Sequence, residues 1–191
     1  MALVRGMDVP ARFVRGNADR MVGAETEGRG PWMTSQHSTE DLAFLASFEP
    51  TVIVDVDGLG RTCFAHGSPR SDEECVTRLT PEQRVRDFCD GVDAGVFVTA
   101  HTHMQFDRLV ADVRSVNPGS LGLPYEPKAG AYWALLGPDV QLRRTEYDLE
   151  AAIAQMCDTD DPRVDVVVEM MRTPPAQDEV IADAERSVFA G

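Results

Sequence analysis

Residues 94–100, Ala-Gly-Val-Phe-Val-Thr-Ala, form an apolar run with no polar alternation. A strand with one wet face alternates apolar and polar residues, so a run of this kind predicts a strand covered on both faces. A helical pattern over 80–92 precedes it, with Thr80 as N-cap, Pro81 at the first helical position and Gln83 three residues after the cap. A buried strand fed by a helix belongs to a layered α/β protein. The run ends abruptly in His101-Thr102-His103. On an extended chain a spacing of two puts both rings on one side.

The remaining elements follow from periodicity and turn chemistry. A short strand over 11–16 stops at Gly16, and 21–37 lacks any periodicity and reads as a long loop containing His37, a surface residue. Residues 38–48 have helical apolar spacing behind a cap at Ser38 or Thr39. Two strands, 51–56 and 61–66, flank the hairpin signal Asp57-Gly58-Leu59-Gly60. Residues 106–120 predict two short strands and a turn, with Asp107-Arg108 as an ion pair. Residues 131–148 predict a second hairpin around Gly137-Pro138-Asp139, with Tyr132 in the core and Trp133 on the rim. Helical patterns occupy 149–157, 163–172 and 178–189, divided by Asp161-Pro162 and Pro174-Pro175. The fold class is α/β with mixed strand directions. The domain reading is a main body over 1–148 and an acidic helical extension over 149–191.

Composition narrows the function. The chain has 191 residues, 43% hydrophobic and 26% charged, which suits one soluble globular domain. No apolar run is long enough for a membrane span and no secretory leader is recognisable, so the cytoplasm is the expected location. Cys63, Cys75, Cys89 and Cys157 form no Cys-x-x-Cys pair, which gives a thiolate zinc site no support. From Glu146 onward twelve carboxylates face three arginines, so −9 of the formal −14 charge lies in the last quarter. Such a surface repels nucleic-acid phosphates. Lys128 is the only lysine, which disfavours Schiff-base chemistry.

Four groups follow predicted strands: Gly16-Asn17-Ala18-Asp19, His66-Gly67, Ala100-His101-Thr102-His103 and Asn117-Pro118-Gly119-Ser120-Leu121-Gly122. Each alone reads as readily as a turn or a loop histidine. Strand ends in α/β sheets are also where ligand sites gather. In order and spacing, over about 11–148, the four groups resemble the calcineurin-like metallophosphoesterases, and within that superfamily the small bacterial and archaeal phosphodiesterases. The resemblance implies a metallophosphoesterase-like β-sandwich flanked by helices. It implies that Asn17, His66 and His101 bind one metal and His103 a second. Nitrogen and amide oxygen donors suit Mn, Fe, Zn or Ni. Asp19, Gly119 and Ser120 are then candidates beside the metal or facing substrate, although Asp19 reads equally as a local turn bond. The implied partner is a small phosphorylated substrate, with no nucleic acid or membrane, and with self-association through sheet edges as an option.

Three departures from the family pattern matter. Ala100 stands where glycine is usual. Ala18 stands where many members carry a histidine that protonates the leaving group, so leaving groups of low pKa are favoured. The chain contains no Asp-x-His, and no Gly-Asp in the family's strand–loop setting, which in the family supply further ligands and the bridging carboxylate. The resemblance therefore implies that about 40 residues of the family domain are absent at the N-terminus. It also implies that one metal or none binds, because removing an anionic bridge leaves two dications in strong repulsion. Three readings result: a metal-dependent phosphoesterase impaired in this form, a catalytically silent single-metal or protein-binding module, and a remnant without a stable fold.

Overall fold

The computed structural model describes residues 1–110 and 112–187. Helices α1 (Ala2–Arg5), α2 (Asn17–Met21), α3 (Gly30–Ser35) and α4 (Thr39–Ala46) come first. Strands β1 (Thr51–Val56) and β2 (Gly60–Ala65) follow, then α5 (Glu82–Cys89) and β3 (Val96–Val98). Strands β4 (Gln105–Val110), β5 (Val113–Pro118), β6 (Ala131–Leu136) and β7 (Val140–Thr145) precede helices α6 (Leu149–Cys157), α7 (Val164–Arg172) and α8 (Gln177–Arg186). The final residues of the predicted helix 178–189 lie outside the described residues. Among the described residues no helix is long and apolar enough to cross a membrane.

Five strands form one sheet in the order β1-β2-β3-β5-β4, and β6 pairs with β7 in a second. The apolar run lies at the centre. β3 is parallel to both β2 and β5, with Phe64, Val98 and Val116 in register. Val96, Phe97 and Val98 are all buried, because both faces of the sheet are covered. On one face Val96, Val98 and Val116 pack against Leu136, Val140 and Leu142 of the second sheet. On the other face Phe106 packs with Phe88 of α5 and Val76. This is the β-sandwich flanked by helices that the motif pattern implied.

Both hairpins form, β1–β2 and β6–β7, and β4–β5 form a third antiparallel pair. Ser38 caps α4 by accepting from the Asp41 backbone N–H, and Asp41 reaches back to Ser38. Tyr132 is buried and Trp133 exposed, because alternate residues of β6 face opposite sides.

Several local expectations are corrected. Residues 11–16 form no strand. Their only ladder is one parallel bridge, Val14 to Glu49, and Phe13 is held by stacking on Phe48 at 4.9 Å and meeting Phe44 edge-on at 5.2 Å. The 21–37 segment is not structureless, because α3 starts at Gly30 with Pro31 in its first turn. His37 is half-buried, with Nδ1 2.7 Å from the Met33 carbonyl oxygen. Thr80 does not cap α5, because its hydroxyl accepts from the Thr77 N–H at 2.8 Å. Asp107 and Arg108 do not pair. Asp107 accepts from Arg114 at 2.6 and 2.8 Å, and Arg108 donates to the carbonyls of Arg78 and Thr80 at 2.7 and 3.0 Å.

Glu185 ties α8 to the body. Its carboxylate accepts from the hydroxyls of Thr77 and Thr80, both at 2.6 Å, and from Arg84 at 2.9 Å. Thr77 and Thr80 are fully buried, so Glu185→Ala removes the acceptor of two hydroxyls, which are left with one 3.3 Å contact between them for two donors. A loss of about 2 kcal/mol is the expected result, read as a lower urea midpoint with an unchanged slope. An unchanged midpoint would show that the Glu185 bonds add nothing to stability.

Candidate metal centre

The four sequence groups converge at one end of the large sheet, and three of them bring their donor side chains into contact. Asn17 is the first residue of α2, which begins where the Val14 bridge ends. His66 directly follows β2, and His101 follows β3 by three residues. Because β2 and β3 are adjacent and parallel, both histidines leave the sheet at the same end. His66 Nε2 lies 3.0 Å from Asn17 Oδ1 and 3.1 Å from His101 Nδ1. These contacts join residues 49 and 35 positions apart in sequence.

The backbone is shaped for this approach. A Cβ on Gly16 would meet His66 Nδ1 at 3.0 Å, so any larger residue there would push on the ring. A Cβ on Gly67 would meet the carbonyl oxygens of Ser71 and Glu74 at 2.6 Å, which explains the glycine after His66. The loop beyond folds onto buried Glu74, which accepts from Ser68 Oγ and from Arg70.

The His-Thr-His segment is not extended. His101 and His103 both adopt left-handed backbone, with φ of 62° and 59°. Side chains with a Cβ rarely adopt this region, and such strain persists only where the surroundings enforce it. The enforcing residue is Asn117, which is fully buried. Its amide donates to the Ala100 carbonyl at 2.7 Å and to Thr102 Oγ1 at 3.1 Å, and its Oδ1 accepts from Gly119 N–H at 2.8 Å. The two rings are consequently not held side by side as alternate residues of a strand. His101 faces His66, whereas His103 Nδ1 sits 2.7 Å from the Leu123 carbonyl oxygen and its ring lies against Tyr125. With Nδ1–H donating to that carbonyl, Nε2 of His103 keeps its lone pair, an arrangement common in metal-binding histidines.

The other candidates occupy structural positions. Asp19 Oδ2 accepts from the Gly16 N–H at 2.8 Å, the local turn bond. Ser120 Oγ accepts from the Leu123 N–H at 3.1 Å, and Gly119 is bonded to Asn117. Two carboxylates not singled out from the sequence lie near the cluster. Asp72 and Glu73 both act on His101 electrostatically, and Arg20 holds both of them, Asp72 at 2.7 Å.

The electrostatics favour neutral imidazoles. Burial pushes His66 down to about 4, and the neighbouring His101 adds to the effect. Burial also lowers His101 and His103. Neutral rings offer the lone pairs that a metal needs. The separations fit too: two donors about 2.1 Å from one ion, at right angles or tetrahedral, lie about 3.0–3.4 Å apart. The Asn17–His66 and His66–His101 separations therefore match those of donors sharing one divalent ion. Among the described residues no three His, Cys, Asp or Glu side chains gather to hold a metal; this cluster brings together two imidazoles and one amide.

A buried neutral His66 makes the metal-free chain sensitive to acid. Between about 4 and 6.5 the unfolded histidine binds a proton that the folded one does not, so stability rises with pH across that window. The contribution is complete above 6.5 and is lost as pH falls towards 4. A His66→Gln variant, melted in chelator from pH 7.5 to 4.5, should lose less stability than the parent. Parallel pH profiles would remove His66 as the cause.

No family model matches the chain, and no curated protein does. Solved structures do. A metallophosphoesterase from Sphaerobacter thermophilus aligns with a TM-score of 0.68 at 24% identity, covering 89% of this chain and 79% of that one. The chain has the metallophosphoesterase fold. A hypothetical protein, PH1004 from Pyrococcus horikoshii OT3, aligns with a TM-score of 0.70 at 16% identity, covering 88% of this chain and 74% of that one. The likeness read from four short motifs thus extends to the metallophosphoesterase architecture, a five-stranded and a two-stranded sheet with flanking helices.

Proposed function

We propose that this chain is a metal-dependent phosphoesterase acting on small phosphodiesters or phosphomonoesters. The observation that carries the reading is the contact of three neutral donors, Asn17 Oδ1, His66 Nε2 and His101 Nδ1, on a metallophosphoesterase fold. A divalent ion at such a cluster polarises a phosphoryl oxygen and activates water at neutral pH. Asn17, His66 and His101 hold the ion, and His103 presents Nε2 from the far side of the turn. Asn117 keeps the turn in its strained form. Manganese, iron, zinc or nickel would each suit these donors, with availability deciding.

Leaving-group protonation is the weak point. Ala18 carries no proton donor. Turnover should therefore depend steeply on the leaving group, with p-nitrophenolate esters far ahead of alkyl esters.

A second reading is a metal-binding module without turnover. It is favoured by the engagement of Asp72 and Glu73 with Arg20, which leaves the cluster without a coordinating carboxylate. Metal content and hydrolysis of bis(p-nitrophenyl) phosphate, measured on the 191-residue chain with manganese added, separate the two. Bound metal with turnover supports the phosphoesterase. One ion per chain without turnover supports the module, and no metal at all removes both.

A further inference from the structure

Arg15 immediately precedes Gly16 of the metal cluster, and its side chain is half-buried. Its backbone N–H donates to the Glu49 carbonyl at 2.8 Å. Its Nε is shielded from solvent and meets no acceptor among the described residues. A buried guanidinium N–H without a partner is unfavourable, and native structures rarely leave one. The neighbouring arginines are matched: Arg20 pairs with Asp72 at 2.7 Å and with Glu73, and Arg70 pairs with Glu74 at 2.7 Å. Among the described residues no carboxylate pairs with Arg15.

These groups line one cavity of about 200 Å³, formed in part by Arg15, Arg20, Ser68, Arg70, Ser71 and Asp72. That is room for several waters or for one compact anion, since a water takes about 30 Å³. Arg20 is shared between Asp72 and Glu73 and Arg70 is held by Glu74, so among the described residues Arg15 is the arginine of this lining without a carboxylate partner. The cavity adjoins the metal cluster along two chain paths, from Arg15 through Gly16 to Asn17 and from Ser68 through Gly67 to His66. A planar guanidinium with free N–H groups matches a phosphate or another tetrahedral oxyanion in a bidentate manner.

We propose that Arg15 anchors a second phosphate subsite beside the metal cluster, and that the substrate class consists of small esters carrying a second phosphate group. The subsite stands on Arg15 and its cavity. The substrate class rests on the phosphoesterase reading above.

The test is binding of inorganic phosphate to the full chain in chelator, followed by calorimetry and by backbone amide shifts. With metal removed, neither the metal cluster nor turnover contributes to the signal. The expected result is saturable binding, weakened at least about tenfold by Arg15→Gln and weakened less by Arg15→Lys, which keeps the charge but loses the fork. The amide shifts should centre on residues 15–20 and 68–72. Absence of saturable binding in the parent chain would overturn the subsite, as would equal affinity in a folded Arg15→Gln variant. Should Arg15→Gln fail to fold, affinity in Arg15→Lys equal to the parent's would overturn it. Phosphate binding without hydrolysis of any ester would leave the subsite standing and remove the phosphoesterase reading.

Discussion

Replacing His66 with alanine is expected to weaken divalent-metal binding by more than about 100-fold and to abolish phosphoester turnover with it. His66 Nε2 is the one atom in contact with both other donors, Asn17 Oδ1 and His101 Nδ1. Removing a partner that merely orients a ligand already costs about 10–100-fold in affinity or activity, so removing the central ligand should exceed that range. The change removes a half-buried ring and its contacts with Asn17 and His101, so affinity is compared only where the variant is folded. His37 is the control. It bonds the Met33 carbonyl and takes no part in the cluster, so His37→Ala should bind metal like the parent. Calorimetric titration with manganese, paired with circular dichroism, reads both variants. Equal affinity in folded His66→Ala would move the metal site elsewhere.

Asn117→Ala should produce the largest loss of stability, about 3–5 kcal/mol. Asn117 is fully buried and makes three hydrogen bonds, each to the His-Thr-His turn or to the loop after β5. Its removal leaves the Gly119 N–H without its partner, while the Ala100 carbonyl keeps only the Thr102 N–H at 2.6 Å and the Thr102 hydroxyl only the Val76 carbonyl at 3.4 Å. It also releases two residues held in left-handed backbone, so the turn should relax towards ordinary conformations. Metal affinity should therefore fall even under conditions where the variant is folded, although Asn117 supplies no ligand. Asn117→Asp sharpens the test. It keeps the acceptor for Gly119 but loses both donated bonds, so it should resemble alanine in metal binding. Urea unfolding gives the stability, and manganese titration well below the midpoint gives the coupling. Full metal affinity in a folded Asn117→Ala would show that the turn holds its shape unaided.

Much of the architecture was legible along the chain. The apolar run at 94–100 became the central strand because parallel neighbours and two covered faces demand such a composition. Hairpins at 51–65 and 131–145 followed from glycine-containing turns between apolar runs. The early segments were less legible. A strand pattern at 11–16 needs a partner to become a ladder, and only Glu49 supplies one bridge. Asp107 and Arg108 are sequence neighbours that point to opposite faces of β4, so each found a distant partner instead.

By itself the sequence determined the order of most strands and helices, the hairpins, and the placing of His66, His101 and His103 just beyond strand ends, because periodicity and turn chemistry are local properties. Only the tertiary structure decided which of these donors meet. It set the His103 ring against Leu123 and Tyr125, made Asn117 the brace of a strained turn, gave Asp72 and Glu73 to Arg20, and left Arg15 without a carboxylate among the described residues. The reason is sequence separation: these contacts are set by strand register and by the packing of whole segments, which no local pattern encodes.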